Sequence, residues 1–362
     1  MTQLSFTPQE KKCITTSIIT LALCILLASC NANSILNGTS GSLPNSGNTS
    51  IGQGTQGVQV FVEPTAGETV ITNAIYQAKQ SVWLEIYLLT DSKVIRALEA
   101  AANRGLDVRV MLEPHPYGGG GISPSETLDK LNAASIKAQP ASSSFSLTHE
   151  KGMIIDGQTV YIMTCNFTLA ALGASKHTLN REYGIIDNNA QDVQAVSTIF
   201  NADWNRSNAQ YNDPNLVVSP DNSRNAFASL INGAHKTLAI EAEEMQDSQI
   251  EQDLVNAAQR GVQVQVILPS SSSSDESDGS DSNGQGISTI EQGGVKVKED
   301  HHLYMHAKII IADGQQAFVG SENISTTSLD HNRELGLIVS DQSVLNTLQQ
   351  TFQQDWATSQ AV

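Results

Sequence analysis

One polar pattern occurs twice in this chain, and the repetition restricts the possible folds more than any other feature. The stretch HEKGMIIDGQTVYIMTCN, His149 to Asn166, returns as HAKIIIADGQQAFVGSEN, His306 to Asn323. His149 and His306, Lys151 and Lys308, Asp156 and Asp313, and Asn166 and Asn323 are each separated by 157 positions, whereas Glu182 and Glu334, like Trp204 and Trp356, are separated by 152. Four coincidences among residue types that each make up about 5% of proteins arise by chance in on the order of one placement in 10⁵. The chain is therefore read as two copies of one unit, a size that 362 residues accommodate.

Within each copy, strand and helix signals alternate. VQVFVE, VWLEIYLL and LDVRVMLEP have strand character, and ETVITNAIYQAKQ and DSKVIRALEAAANRG have helical periodicity, the latter with Asp91 at its cap and Gly105 beyond its end. The second copy repeats the series with NAFASLINGAHKT, LAIEAEEM, DSQIEQDLVNAAQRG and VQVQVILPS. With 40% hydrophobic and only 5% aromatic residues, the interior is aliphatic, as in layered α/β units around a buried sheet. The expected units are residues 58–212 and 213–362.

The repeated stretch carries chemistry. Histidine and lysine two apart on a strand project to one face, so His149 and Lys151 share a face, as do His306 and Lys308. The apolar residues that follow each lysine fix the strand in the sheet and so fix where the polar pair points. Asp156-Gly157 and Asp313-Gly314 have the composition of tight turns, which assigns the two aspartates to structure.

With the Asn ten positions after the Asp, the pattern resembles the phospholipase D superfamily signature, H-x-K-x₄-D-x₆-G-S-x-N. The second copy matches at every specified position, including Gly320, Ser321 and Asn323; the first has Met163 and Thr164 where Gly and Ser are expected. The resemblance spans about Val58 to Trp356. It implies two pseudo-symmetric α/β/α sandwich domains with the active site at their interface, both histidines in one site, and a phosphohistidine intermediate released by water or another alcohol. In that reading one imidazole attacks phosphorus while the other protonates the leaving oxygen, His149 being favoured as nucleophile and His306 as acid, although the pseudo-symmetry permits the reverse. Lys151, Lys308, Asn166 and Asn323 would hold the phosphate oxygens, with Ser321 and Thr164 assisting. No metal or other cofactor is required, and a single chain suffices for a complete site. Each histidine also needs its second nitrogen occupied, and Glu182 in REYGIID and Glu334 in RELGLIV, in equivalent positions, are the candidates.

The amino terminus reads as a secretory signal. Lys11 and Lys12 precede CITTSIITLALCILLASC, and Leu27-Ala28-Ser29-Cys30 resembles a bacterial lipobox, with residues 1–29 removed and Cys30 lipidated. An uncleaved anchor helix is the alternative. Both place the protein at a membrane, and the lipobox reading expects the bacterial cell envelope, outside the cytoplasm. Residues 30–57, rich in Ser, Gly and Asn, are expected to be a flexible tether. Cys165 is then the one cysteine left, so no disulfide framework is expected.

Charge bears on the substrate. The formal charge is −17, and loss of residues 1–29 leaves 18 basic and 36 acidic side chains. Such a surface repels polyanions, so nucleic acid is an unlikely partner, and the expected substrate is phospholipid in the membrane that holds the anchor. An envelope nuclease of the same superfamily and a binding module on a decayed phosphodiesterase are the rival readings.

Four further segments draw attention. The acidic piece 270–286, SSSSSDESDGSDSNGQG, is expected to be a solvated loop, dispensable from Ser271 to Asn283, since its spacing is not that of an EF-hand. His115 to Gly121, HPYGGGG, reads as a mobile rim loop, and His301 and His302 as part of an approach to the site. Glu241, Glu243 and Glu244 put at least one carboxylate on a buried face, with no role assigned.

Overall fold

The computed structural model describes residues 51–117, 123–271 and 283–362. The signal segment, Cys30 and most of the expected tether lie outside these residues, as do Gly118–Gly121 of the glycine-rich stretch and 272–282 of the acidic one.

Two eight-stranded mixed sheets carry the same strand order. In the first the order is Gln59–Glu63, Asn180–Asp187, Thr159–Met163, Lys151–Ile155, Ser81–Ile86, Asp107–Leu112 and Lys137–Pro140, with Tyr304–Met305 as an extra strand beside Asn180–Asp187. In the second it is Leu216–Ser219, Glu334–Val339, Gln316–Gly320, Lys308–Ala312, Thr237–Ala242, Gln263–Pro269 and Lys296–Asp300, closed by Gln360–Ala361. Within each sheet the three strands joined by helical crossovers are parallel, while the motif hairpin and its neighbours are antiparallel. Both sheets are thus of the two-domain α/β type that the sequence implied.

Each half covers its outer face with helices. Ile71, Ile75, Val94, Ala97, Leu98 and Ala101 pack on the outer face of the first sheet, and Ala226, Phe227, Leu230, Ile250 and Leu254 do the same on the second. The inner faces meet in one apolar cluster with residues from both halves, among them Ile154, Ile162 and Ile185 of the first and Ile309, Val319 and Leu337 of the second. Helices Ala190–Trp204 and Gln342–Thr358 pack into the same cluster. The halves therefore share one core, and the ends of the motif strands are fixed relative to each other by that packing. Among the described residues no helix is long and apolar enough to cross a membrane.

Local signals explain the element ends. Asp91 accepts hydrogen bonds from the Lys93 and Val94 amides at the start of Ser92–Asn103, and Asp247 accepts from the Ile250 amide at the start of Ser248–Gln259. Gly105 and Gly261 follow those helices with φ of 85° and 91°, a conformation that favours glycine.

Two expectations are corrected and a third is extended. Residues 51–57 are not tether: the Gly52 amide bonds Pro214 O, Thr55 pairs with Val339 of the second sheet, and the Thr55 hydroxyl donates to Asp192 of the first half. Hydrogen bonds and the packing of Ile51 against the second half's core hold this segment, a source of order that composition does not reveal. The acidic loop ends earlier than Gly286, because helix Asn283–Gln292 already includes that residue. Asp156 and Asp313 do more than complete their turns. Both have positive φ, 56° and 54°, and are followed by glycines with φ of 63° and 64°, as in a type I′ turn. Their carboxylates reach across to the next strand entry: Asp156 accepts from the amides of Lys79, Gln80 and Ser81, and Asp313 from those of His235, Lys236 and Thr237.

Candidate active site

Lys151 and Lys308 are the first residues of the central motif strands, and each histidine stands two residues earlier, where the chain leaves the sheet. Each ammonium folds back onto its own histidine's carbonyl, Lys151 Nζ to His149 O at 2.6 Å and Lys308 Nζ to His306 O at 2.8 Å. Both lysines are buried. Burial pushes the Lys151 amine down to about 7.

The backbone then crosses between halves. The segment before His149 bridges Thr148 to Arg333, and the His149 amide donates to Arg333 O at 2.9 Å. The segment before His306 pairs Tyr304 with Asn180 and Met305 with Arg181. Each histidine is thereby set beside the glutamate of the opposite half. His149 Nδ1 lies 2.9 Å from Glu334, and His306 Nδ1 2.8 Å from Glu182. With Nδ1–H committed to a buried carboxylate, Nε2 is left as the reactive nitrogen. Burial pushes the His149 imidazole below its usual range even though Glu334 opposes it, which favours the neutral form. Burial works against the Glu334 charge, yet His149 and Lys151 hold that carboxyl below the ordinary range.

Each glutamate is held in turn by its own half. Glu182 accepts from the Thr164 hydroxyl at 2.6 Å and from Asn180 Nδ2 at 3.0 Å; Glu334 accepts from the Ser328 hydroxyl at 2.7 Å and from Asn332 Nδ2 at 3.1 Å. Ser321 also bonds Glu334, and its oxygen accepts from the Leu335 amide at 3.0 Å, just as the Thr164 oxygen accepts from the Tyr183 amide at 2.9 Å. Ser321 and Thr164 are fully buried and bonded to the orienting glutamates, which they position; like Lys151 and Lys308 they are not among the residues lining the cavity. Thr164 preserves in the first copy what Ser321 does in the second. The accompanying Met163 lies opposite Gly184, where the second copy sets Gly320 opposite Gly336, so side-chain bulk is redistributed while the hydroxyl is kept.

His149, His306, Asn166 and Asn323 line one cavity of about 550 Å³, together with residues of both halves. Asn166 Oδ1 and Asn323 Oδ1 are buried without a hydrogen-bond partner among the described residues. The larger pocket, beside Gly157 and Asn188, contains none of these groups.

Two lining residues had no assigned role in the sequence. Tyr87 sets its ring edge-on to His149, with centroids 4.7 Å apart, and Lys151 Nζ lies 5.1 Å from the same ring. Glu243 stands at the matching place in the other half: its Oε2 lies 2.6 Å from Lys308 Nζ, 3.3 Å from Asn323 Nδ2 and 3.5 Å from His306 Nε2. Burial opposes the Glu243 charge, but His306 and Lys308 hold this carboxyl far below the usual range. The strand registers pair Tyr87 with Glu243, since Ile86 and Ala242, the residues just before them, face Lys151 and Lys308, but their separation of 156 positions matches neither offset of the repeat.

Other candidates fall elsewhere. Glu241 is buried in the shared core and accepts from the Tyr183 hydroxyl at 2.7 Å. His301 bonds Ser270, His302 is exposed, and neither lines the cavity, whereas Tyr304 of the same segment does. Tyr117 of the glycine-rich stretch does line it. Among the described residues one group of three, Glu85, Glu150 and Asp203, brings an oxygen from each within 4.8 Å of the others and could hold a cation behind the motif strands.

Comparisons with known proteins agree with this geometry. The family described as "Cardiolipin synthase, PLD-like domain" matches residues 71–204 and again 227–356, one match per half. A cardiolipin synthase of Listeria monocytogenes is 24% identical over 331 residues, covering 82% of this chain and 68% of that protein. The fold is that of a phosphatidylserine synthase of Haemophilus influenzae, with a TM-score of 0.67 at 15% identity over 87% of this chain and 90% of the other. A polyphosphate kinase of Porphyromonas gingivalis gives a TM-score of 0.61 at 16% identity, over 82% of this chain and 46% of its own. One fold thus accompanies differently named proteins, and the chemistry has to be argued from the site. With both halves matched and two histidines paired to buried glutamates on one cavity, the chain belongs to the cardiolipin synthase, phospholipase D-like domain family and is a phosphodiesterase of the phospholipase D type.

Proposed function

We propose that the protein cleaves or transfers the headgroup of membrane phospholipids through a phosphohistidine, with His149 as nucleophile and His306 as acid. The observation that carries this reading is the pair of cross-half dyads, His149–Glu334 and His306–Glu182, opening on one cavity with both asparagines. In the first step the lone pair of His149 Nε2 attacks phosphorus. The bond from phosphorus to the leaving oxygen breaks as that oxygen takes the proton of His306 Nε2. Glu334 stabilises the positive charge gained by His149. Lys151, Lys308, Asn166 and Asn323 bind the non-bridging oxygens. In the second step water, or another alcohol, gives its proton to His306 and attacks phosphorus, and the bond to His149 breaks. The enzyme returns to its starting state in either case.

The lipid half of the reading is supported by the family match, by the charge of −17 and by the lipobox at Leu27–Cys30, which would keep the site beside lipid at the outer surface of a bacterial membrane. One chain holds every group named, so no second copy is needed.

The test uses the detergent-solubilised full chain, with Cys30→Ser as a control expected to leave the membrane fraction. Incubated separately with phospholipid vesicles and with plasmid DNA, it should release headgroup and leave the plasmid intact. On a p-nitrophenyl phosphodiester, whose leaving group needs no proton, His306→Ala should keep a burst of nitrophenol with phosphate label on His149, and His149→Ala should give none. Label on His306 inverts the roles; cut plasmid with intact lipid replaces the substrate class.

A further inference from the structure

The cavity holds more negative charge than a phosphodiester site needs. Buried beside its lining residues are the amines of Lys151 and Lys308 and the orienting Glu182 and Glu334, and on its wall stand Glu243 and Glu244. Arg181 and Arg333, next to the orienting glutamates in sequence, are held by Asp355 and Asp203. Two lysine amines thus stand against four carboxyl groups, before a phosphodiester adds another negative charge. Burial beside Glu243 raises the Glu244 carboxyl to about 7, as expected where two carboxylates crowd one wall.

The position of Glu243 is more telling than the total. One oxygen, Oε2, gathers Lys308 Nζ, Asn323 Nδ2 and His306 Nε2, the three groups of the second half that would otherwise receive a phosphate oxygen. Its other oxygen accepts from Tyr304. The first half has no such carboxylate, because Tyr87 stands there instead. A substrate phosphate that engages Lys308 and Asn323 must take them from Glu243, leaving a buried carboxylate without its cation. Such a charge is costly unless another cation replaces the lost one.

We infer that the cation comes with the substrate: Glu243 and Glu244 form the headgroup subsite, and it selects zwitterionic phospholipids, whose ammonium replaces Lys308 as the counter-ion of Glu243 when their phosphate takes Lys308. The aromatic rings of Tyr304 and Tyr117 on the cavity wall suit an ammonium group, whether primary or quaternary. A lipid whose headgroup carries only hydroxyls supplies the phosphate but not the replacement cation, and a second anionic phosphate adds repulsion. This assignment rests on the phospholipid reading above and names the headgroup that reading leaves open.

Mixed micelles of phosphatidylethanolamine, phosphatidylcholine or phosphatidylglycerol, each in the same neutral detergent, provide the test, with headgroup release by the full chain as the readout. The expected kcat/KM is about tenfold or more higher for the two ammonium lipids than for phosphatidylglycerol. Glu243→Gln should bring that ratio close to unity, and Glu244→Gln should lower it in part. Should Glu243→Gln not fold, competition decides with the parent protein: phosphoethanolamine should inhibit at lower concentration than glycerol phosphate, and the reverse order refutes the inference. Phosphatidylglycerol cleaved as fast as the others overturns the headgroup assignment and leaves the phospholipid reading standing. Cleavage of none of the three, with plasmid DNA cut, overturns both.

Discussion

Thr164 illustrates how one hydroxyl can decide whether an altered motif still works. It donates to Glu182 at 2.6 Å while its oxygen accepts the Tyr183 amide, and Glu182 in turn orients His306 from the other half. Thr164→Val keeps the shape and removes both bonds. The expected result is a fall in kcat of roughly ten- to a hundredfold with KM nearly unchanged, since a hydrogen bond to a buried charge is worth about 1.5–3 kcal/mol. Thr164→Ser should restore kcat; equal rates for the Val and Ser variants would refute the positioning role. The sequence made Glu182 and Glu334 legible as equivalents, because subtraction pairs positions. It could not reveal that each serves the opposite histidine, because equivalence in sequence does not specify contact in space. Glu243 escaped for another reason: its counterpart is Tyr87, so the repeat offers no identity at the place where the two halves differ most.

At the scale of elements, the turn, cap and strand signals read along the chain were local, and local signals survive folding. The aspartates of the repeated motif were legible as turn residues, but their hold on the amides at 79–81 and 235–237 was not, since those partners lie more than 70 positions away. The acidic segment gives a similar lesson. Its composition marked a loop to Gly286, yet Asn283 is buried, accepts from the Met245 amide at 2.9 Å and donates to the Glu243 carbonyl at 2.9 Å. Asn283 therefore supports the cavity wall, and the expectation that everything from Ser271 to Asn283 is dispensable narrows to 272–282. Replacing those eleven residues by a short Gly/Ser linker should leave kcat within about twofold. Asn283→Ala, which strips partners from two buried backbone groups, should lower kcat about tenfold and reduce thermal stability. If the linker variant is the more damaged, the support role is wrong.

For the whole molecule, acidity shapes stability. Burial raises Glu150 and Glu241 to about 8, Glu63 to about 7, and Asp192 and Asp213 to about 6. The folded chain thus holds protons that the unfolded chain has released, and stability falls as pH rises from about 4.5 to about 8. Lys151 acts in the opposite sense, but only above about 7. The melting temperature should be several degrees higher at about pH 5.5 than at about pH 8.5, followed by calorimetry; a rise over that interval would refute the protonated state of these acids. The duplication itself was legible from the repeats, whereas the shared core was not, because strands buried on both faces do not reveal which face meets the other copy. The exchange of glutamates across that core also constrains descent. A lineage that recombined one half with a foreign one would misalign both imidazoles at once, so the two halves of this chain work only as a matched pair.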